Sequence, residues 1–201
     1  IHGSQALGGI VSISTKDRTL QDSVSVRLGV GPDNYHKEYL RGNLVKENGS
    51  VNLIAVNSNT TGFPVLSDST LNRGYKNHSI AGDISYGYKN LDTSLSLWSS
   101  KGTTEYLVFG SPVSQDYKNE AFAVDLKFIT EQDYYILANI NSSEDLINQN
   151  NENYLGVLDL TQTQRQSYEL LVHKKIKNLF SYSIGLESES EDVNYASYGS
   201  A

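Results

Sequence analysis

Residues 120–129 alternate without a fault: Phe122, Val124, Leu126 and Phe128 take one parity, and Ala121, Ala123, Asp125 and Lys127 the other. A period of two builds a β-strand with one apolar face, and it leaves no apolar stripe on a helix. The pattern recurs along the chain. Residues 23–31 set Val24, Val26, Leu28 and Val30 against Ser23, Ser25, Arg27 and Gly29. Residues 78–88 align Ile80, Ile84, Tyr86 and Tyr88, and residues 134–140 align Tyr134, Ile136, Ala138 and Ile140. Tyr168, Leu170 and Val172 share a side in 168–176, as do Phe180, Tyr182, Ile184 and Leu186 in 180–186. Less regular strands fit 35–45, 51–58 and 93–99, which makes about nine.

The breaks between these strands set the architecture. Short polar turns are expected at 46–50, 89–92, 130–133 and 174–178, and long loops at 59–77, 102–119 and 143–164. The first break, at 31–34, is tight and departs from the rhythm. Strands of ~9–11 residues joined alternately by short and long connections are the pattern of an outer-membrane β-barrel. The expected fold is therefore all-β: an antiparallel transmembrane β-barrel, incomplete at about nine strands. Tyr86, Tyr88, Phe128, Tyr134, Phe180 and Tyr182 fall beside the short turns, where an interfacial girdle would lie. Trp98 shares the parity of Ser94 and Ser96, so it either faces the lumen or sits at a bulge. A soluble β-sandwich also alternates, but its strands run to ~5–6 residues and lack the loop rhythm.

Composition closes off other classes. No stretch approaches the ~20 apolar residues of a membrane-spanning helix. The net charge of -7 gives no basic face for nucleic acid. Zero Cys removes disulfides, thiol catalysis and thiolate metal sites. Zero Met, and an opening that reads IHGSQALGG, lead to the expectation that the chain is a piece of a longer protein.

The most specific segment is the first one. Gly3, Ser4, Ala6, Gly8, Gly9 and Ile10 are followed by an alternating Val11–Ser14 run and by Thr15 and Lys16. This stretch resembles the end of the plug domain in TonB-dependent outer-membrane receptors, where a Tyr-Gly-Ser-x-Ala-x-Gly-Gly pattern precedes the first barrel strand. Here His2 takes the aromatic position. The stretches 74–80 and 110–116 look like segments of the cobalamin-transporter-like branch of that family. In that branch the residues before the Gly-Tyr are often acidic and some members bind calcium. Here Leu71, Asn72 and Arg73 stand there, so the hard oxygen ligands are missing and no metal is carried over.

The resemblance implies a plug end at 1–20 and the N-terminal part of a plugged barrel of about 22 strands at 21–201. It implies an integral, monomeric protein of the bacterial outer membrane that takes up cobalamin or an iron-siderophore. The uptake would be driven by TonB acting through a segment upstream. No enzyme activity and no cofactor are implied, and this portion alone would transport nothing. Ligand contacts would come from loop aromatics, for which Phe63, Tyr106, Phe109 and Tyr154 are the candidates.

Other chemistry finds no support. His2, His36, His78 and His173 lie in separate segments without metal-ligand spacing. No serine sits in a nucleophile elbow, and Pro32 after Gly29-Val30-Gly31 rules out a dinucleotide loop. Glu144, Asp145 and Glu152, with Glu187, Glu189, Glu191 and Asp192, are expected in or beside loops as solvated faces. A passive porin would share the barrel but would not need the plug-like residues 3–16.

Overall fold

The computed structural model describes residues 21–67, 69–132, 134–151, 157–176 and 180–197. The plug-like residues 3–16, with Tyr154 and Glu152, lie outside them. The described residues form nine strands: β1 (Ser23–Val30), β2 (His36–Lys46), β3 (Gly49–Pro64), β4 (Asn72–Tyr88), β5 (Leu91–Val108), β6 (Ser111–Ile129), β7 (Tyr134–Asn151), β8 (Val157–Ile176) and β9 (Phe180–Ser197). Each pairs antiparallel with the next, in strict chain order, in one open sheet. The fold is the expected all-β one, a barrel wall that does not close on itself.

Tight turns make one rim. Glu47 and Asn48 join β2 to β3, Lys89 and Asn90 join β4 to β5, and between β6 and β7 the Thr130 amide donates to the Tyr134 carbonyl at 2.9 Å. At the other rim the structure corrects the sequence reading. The long loops expected at 59–77, 102–119 and 143–164 are mostly strand. β5 and β6 stay paired from Leu91 opposite Phe128 to Val108 opposite Ser111, leaving only Phe109 and Gly110 to turn. Both take positive φ, 49° and 82°, as a two-residue hairpin turn with the twist of its strands requires. The strands are accordingly longer than expected, up to 20 residues in β8. Glu144 and Asp145 belong to β7, and Glu187, Glu189, Glu191 and Asp192 to β9, rather than to loops. The physical reason is that the ladder uses backbone groups, which are indifferent to side-chain polarity. Where both faces are polar, as in Asn148-Gln149-Asn150-Asn151, the ladder continues but the alternation that advertises it is gone.

The registers carry the two faces across the sheet. Leu97 stands opposite Phe122, Leu95 opposite Val124, and Val124 opposite Ile140, which faces Tyr168. Continued over nine strands, this row system gives one face with an unbroken apolar band. It includes Val26, Leu40, Leu53, Ile80, Ile84, Leu126, Ile136, Val172, Leu170, Ile184 and Leu186. On β4 the band runs from Ile80 to Tyr88, and on β6 from Phe122 to Phe128. At ~3.3 Å per residue that is about 20–26 Å along the strand, the scale of the ~25 Å apolar band of an outer-membrane barrel.

Nothing in the sheet covers this band: Val30 is 88 % exposed and Leu186 72 %. Of the buried side chains, Ser58, Ser100 and Val113 belong to the opposite, polar face, and Pro112 is buried beside the β5–β6 turn. The sheet therefore curls with its polar face inward.

Candidate ligand-binding face

The inner face is a field of hydroxyls, amides and carboxylates tied across strands. Near the short turns, Arg41 Nε donates to Asn52 Oδ1 at 3.2 Å, and Asn52 Nδ2 to Asp83 Oδ2 at 3.3 Å. Ser96 Oγ donates to Asp83 Oδ1 at 2.8 Å. A second chain runs from Ser94, which donates to Asp125 at 2.7 Å, through Asn139 and Asn141, to Ser167. Every link joins adjacent strands or the same strand two residues on, because the period of two stacks alternate residues on one face.

Trp98 resolves between its two placements: it lies on the inner face, opposite Ala81 on one side and Ala121 on the other. The two alanines leave the indole room to lie against the sheet. Beside it is an open cavity of about 300 Å³, lined by Asp83, Ser96, Asn141, Ser143, Arg165 and Ser167. Arg165 also forks onto Glu189 of β9, with Nε at 2.7 Å.

Farther from the short turns lies a tyrosine-rich patch. Tyr117 stands opposite Gly102, and its hydroxyl oxygen would be 2.6 Å from a Cβ there, so the glycine makes room for the ring. Asn77 Nδ2 donates to Tyr117 Oη at 2.6 Å and to Ser100 Oγ at 2.9 Å. Ser79 Oγ pairs with Ser100 Oγ at 2.8 Å. Burial, above all, pushes the Tyr117 phenol up from its ordinary pKa. Tyr106 Oη donates to Gln115 Oε1 at 3.4 Å, and Gln149 Nε2 donates to the same oxygen at 3.3 Å. Burial and then the charge of Asp159 raise the Tyr106 phenol as well, so both rings are neutral hydrogen-bonding groups at neutral pH.

The predicted contact residues divide among separate elements. Tyr106 is a strand residue on the inner face of β5, not a loop residue, and stands opposite the buried Val113. Phe63 is likewise in strand, near the end of β3, paired with Arg73 beyond a bulge and 63 % exposed. Phe109 is at the β5–β6 turn with its ring fully in solvent. Tyr154 lies outside the described residues. The three described residues share a rim and not a pocket wall.

Sequence reading missed Asn77, Ser100 and Tyr117 as site residues. Continuing the odd parity of Asp83 through Ala81 and Ser79 to Asn77 would have found the first. The described residues hold no group of three or more His, Cys, Asp or Glu placed to share a metal ion. What the face offers is hydrogen bonding and aromatic stacking on a wide surface, which suits binding of a large polar molecule.

No family model matches the chain. Over 138 residues, 67% of its length, it is 29% identical to the vitamin B12 transporter BtuB of Vibrio cholerae serotype O1, in three strains of that organism. The chain spans about a fifth of the curated relatives it matches, since the similarity covers 22% of each. The resemblance to cobalamin-transporter-like receptors seen in the sequence is supported by this similarity.

Proposed function

We propose that the chain is the end of a plug, residues 1–20, followed by the first strands of the barrel of a TonB-dependent outer-membrane receptor. The receptor imports a scarce, large ligand of the cobalamin or iron-siderophore type. The observation that carries this reading is the segregation of the two faces. A largely exposed apolar band crosses all nine strands, and a hydrogen-bonded polar face lies behind it. An exposed apolar surface of this extent has a natural partner in lipid. A polar inner wall with tyrosines toward the far rim suits an aqueous passage with a ligand at its mouth. The similarity to vitamin B12 transporters favours a corrinoid cargo over a siderophore.

In this reading the protein does no covalent chemistry. TonB supplies the work from the periplasm through the plug, and the barrel acts as a monomeric conduit. An open sheet edge in lipid leaves backbone groups unsatisfied, so the wall needs its remaining strands to close.

The test is uptake of labelled cyanocobalamin by cells that lack their own transporter and carry the full-length receptor, with and without functional TonB. Uptake that requires both is expected. TonB-independent uptake would replace the reading with a passive porin. Recovery of the protein in the aqueous fraction without detergent would remove the membrane reading altogether.

A further inference from the structure

One residue does not fit the apolar band. Lys174 lies on its outer face in β8, in the same alternating row as Tyr168, Leu170, Val172 and Ile176. Ile176 and its partner Phe180 stand between it and the short-turn rim, so Lys174 begins inside the apolar layer rather than beyond it. Among the described residues Tyr134 and Tyr182 flank it in its row, with Ile136, Val172 and Ile184 on one side and Ile176 and Phe180 on the other, none of them acidic.

The surroundings hold the ammonium in a defined place. Its Nζ lies 4.0 Å from the centre of the Tyr134 ring, and Tyr134 and Tyr182 pair with Lys174 from the strands on either side. A second lysine at the same rim repeats the arrangement, with Lys89 Nζ 5.1 Å from the Tyr88 ring centre. A lysine rooted among lipid-facing side chains extends its stem toward the interface, where the groups it meets are phosphates. With a tyrosine paired on each side, the ammonium offers such a phosphate a charge and the neighbouring phenols add hydrogen-bond donors.

We propose that Tyr134, Lys174 and Tyr182 form a binding site for the phosphodiester of a phospholipid headgroup in the leaflet that meets the short-turn rim. The site rests on the outer-membrane reading above but adds to it a lipid of stated chemistry at a stated place. The ring faces hold the lysine, the lysine carries the charge, and the acyl chains lie down the Ile136–Val172–Ile184 row.

The test is native mass spectrometry of the full-length receptor in detergent, titrated with phosphatidylglycerol, with diacylglycerol of the same chains, and with inorganic phosphate. The wild type should retain phosphatidylglycerol over diacylglycerol, and Lys174→Met should weaken that retention about fivefold, as one lysine at an anionic surface supplies. Lys174→Arg should restore it. Equal retention of both lipids by the wild type overturns the site without any variant, and so does unchanged retention by Lys174→Met. Displacement by inorganic phosphate at lipid-equivalent concentration overturns the lipid assignment. Failure of the outer-membrane reading is separate: it would appear as a protein soluble without detergent.

Discussion

Within β6, residues 122–128 read Phe, Ala, Val, Asp, Leu, Lys, Phe, whereas residues 111–119 read Ser, Pro, Val, Ser, Gln, Asp, Tyr, Lys, Asn. One strand contains both, and the same antiparallel ladder binds both to β5. In the first stretch the two faces meet different surroundings, and side-chain chemistry alternates with them. In the second, polar residues occupy both parities around the buried Pro112 and Val113, and the backbone ladder keeps the order. The short-turn half of the sheet thus keeps one apolar and one polar face on each strand. The far half is shaped by hydrogen bonds and by the conformational preferences of Thr, Ser, Tyr and Asn pairs.

The comparison breaks first at matched leucines. Leu126 lies within the band, and Leu146 is on the same face of the neighbouring strand in the far half. Leu126→Arg should cost about 2–4 kcal/mol of folded barrel, while Leu146→Arg should stay within about 0.5 kcal/mol. Refolding titrations of the full-length receptor into vesicles, read by heat-modifiable mobility, measure both. Equal costs would mean that the two halves share one environment.

Glycines sharpen it next. Gly62, at the β3–β4 irregularity, has φ of 66°, and a Cβ there would lie 1.7 Å from the Arg73 carbonyl oxygen. Gly62→Ala should cost about 1–3 kcal/mol through backbone strain and should open residues 60–64 to protease. Gly82, in the band, would meet only the flexible Leu53 Cδ2 at 3.0 Å. Gly82→Ala should leave stability within about 1 kcal/mol of wild type, since an alanine also orders the unfolded chain.

A smaller effect belongs to Tyr117→Phe, which strips the acceptor from Asn77 in the far half. The same titration should show a loss of about 0.5–1.5 kcal/mol. The smallest concerns Glu144, whose carboxyl is held below the ordinary carboxylate range by the Gln162 and Gln164 amides. A depressed folded pKa stabilises above the unfolded value and ceases to do so as pH falls through the folded one. Stability should therefore decline on acidification below the usual glutamate range, and Glu144→Gln should flatten that limb. An identical acid limb in the variant would show that the amides do not tune the carboxylate.

The same contrast accounts for what could be read from sequence. The first three short turns, the nine strands, the parity of the tyrosines beside those turns and the polarity of Trp98's face were legible, because alternation reports a difference between two faces; the turn expected at 174–178 is instead strand as far as Ile176. The far halves were read as loops because that difference vanishes there. Tyr106 and Phe63 were picked out as aromatics but assigned the wrong local structure for that reason. Asn77, Ser100 and Tyr117 form their patch through pairings such as Gly102 with Tyr117, which only the register supplies. Lys174 was assigned to the turn expected at 174–178, whereas it is paired within β8, and its meaning depends on Tyr134 and Tyr182 on the neighbouring strands.

The Phe109–Gly110 turn closes a hairpin paired without interruption from one rim of the sheet to the other. Eighteen residues of β5 at ~3.3 Å each make an arm about 60 Å long. Such an arm has no slack with which to fold over a captured molecule, as a loop would. It works as a fixed mast with one aromatic ring at its head. In the proposed receptor, a solute arriving at that rim would meet the ring before the tyrosines below it, so the order of encounters would be written into strand length rather than into a closing motion.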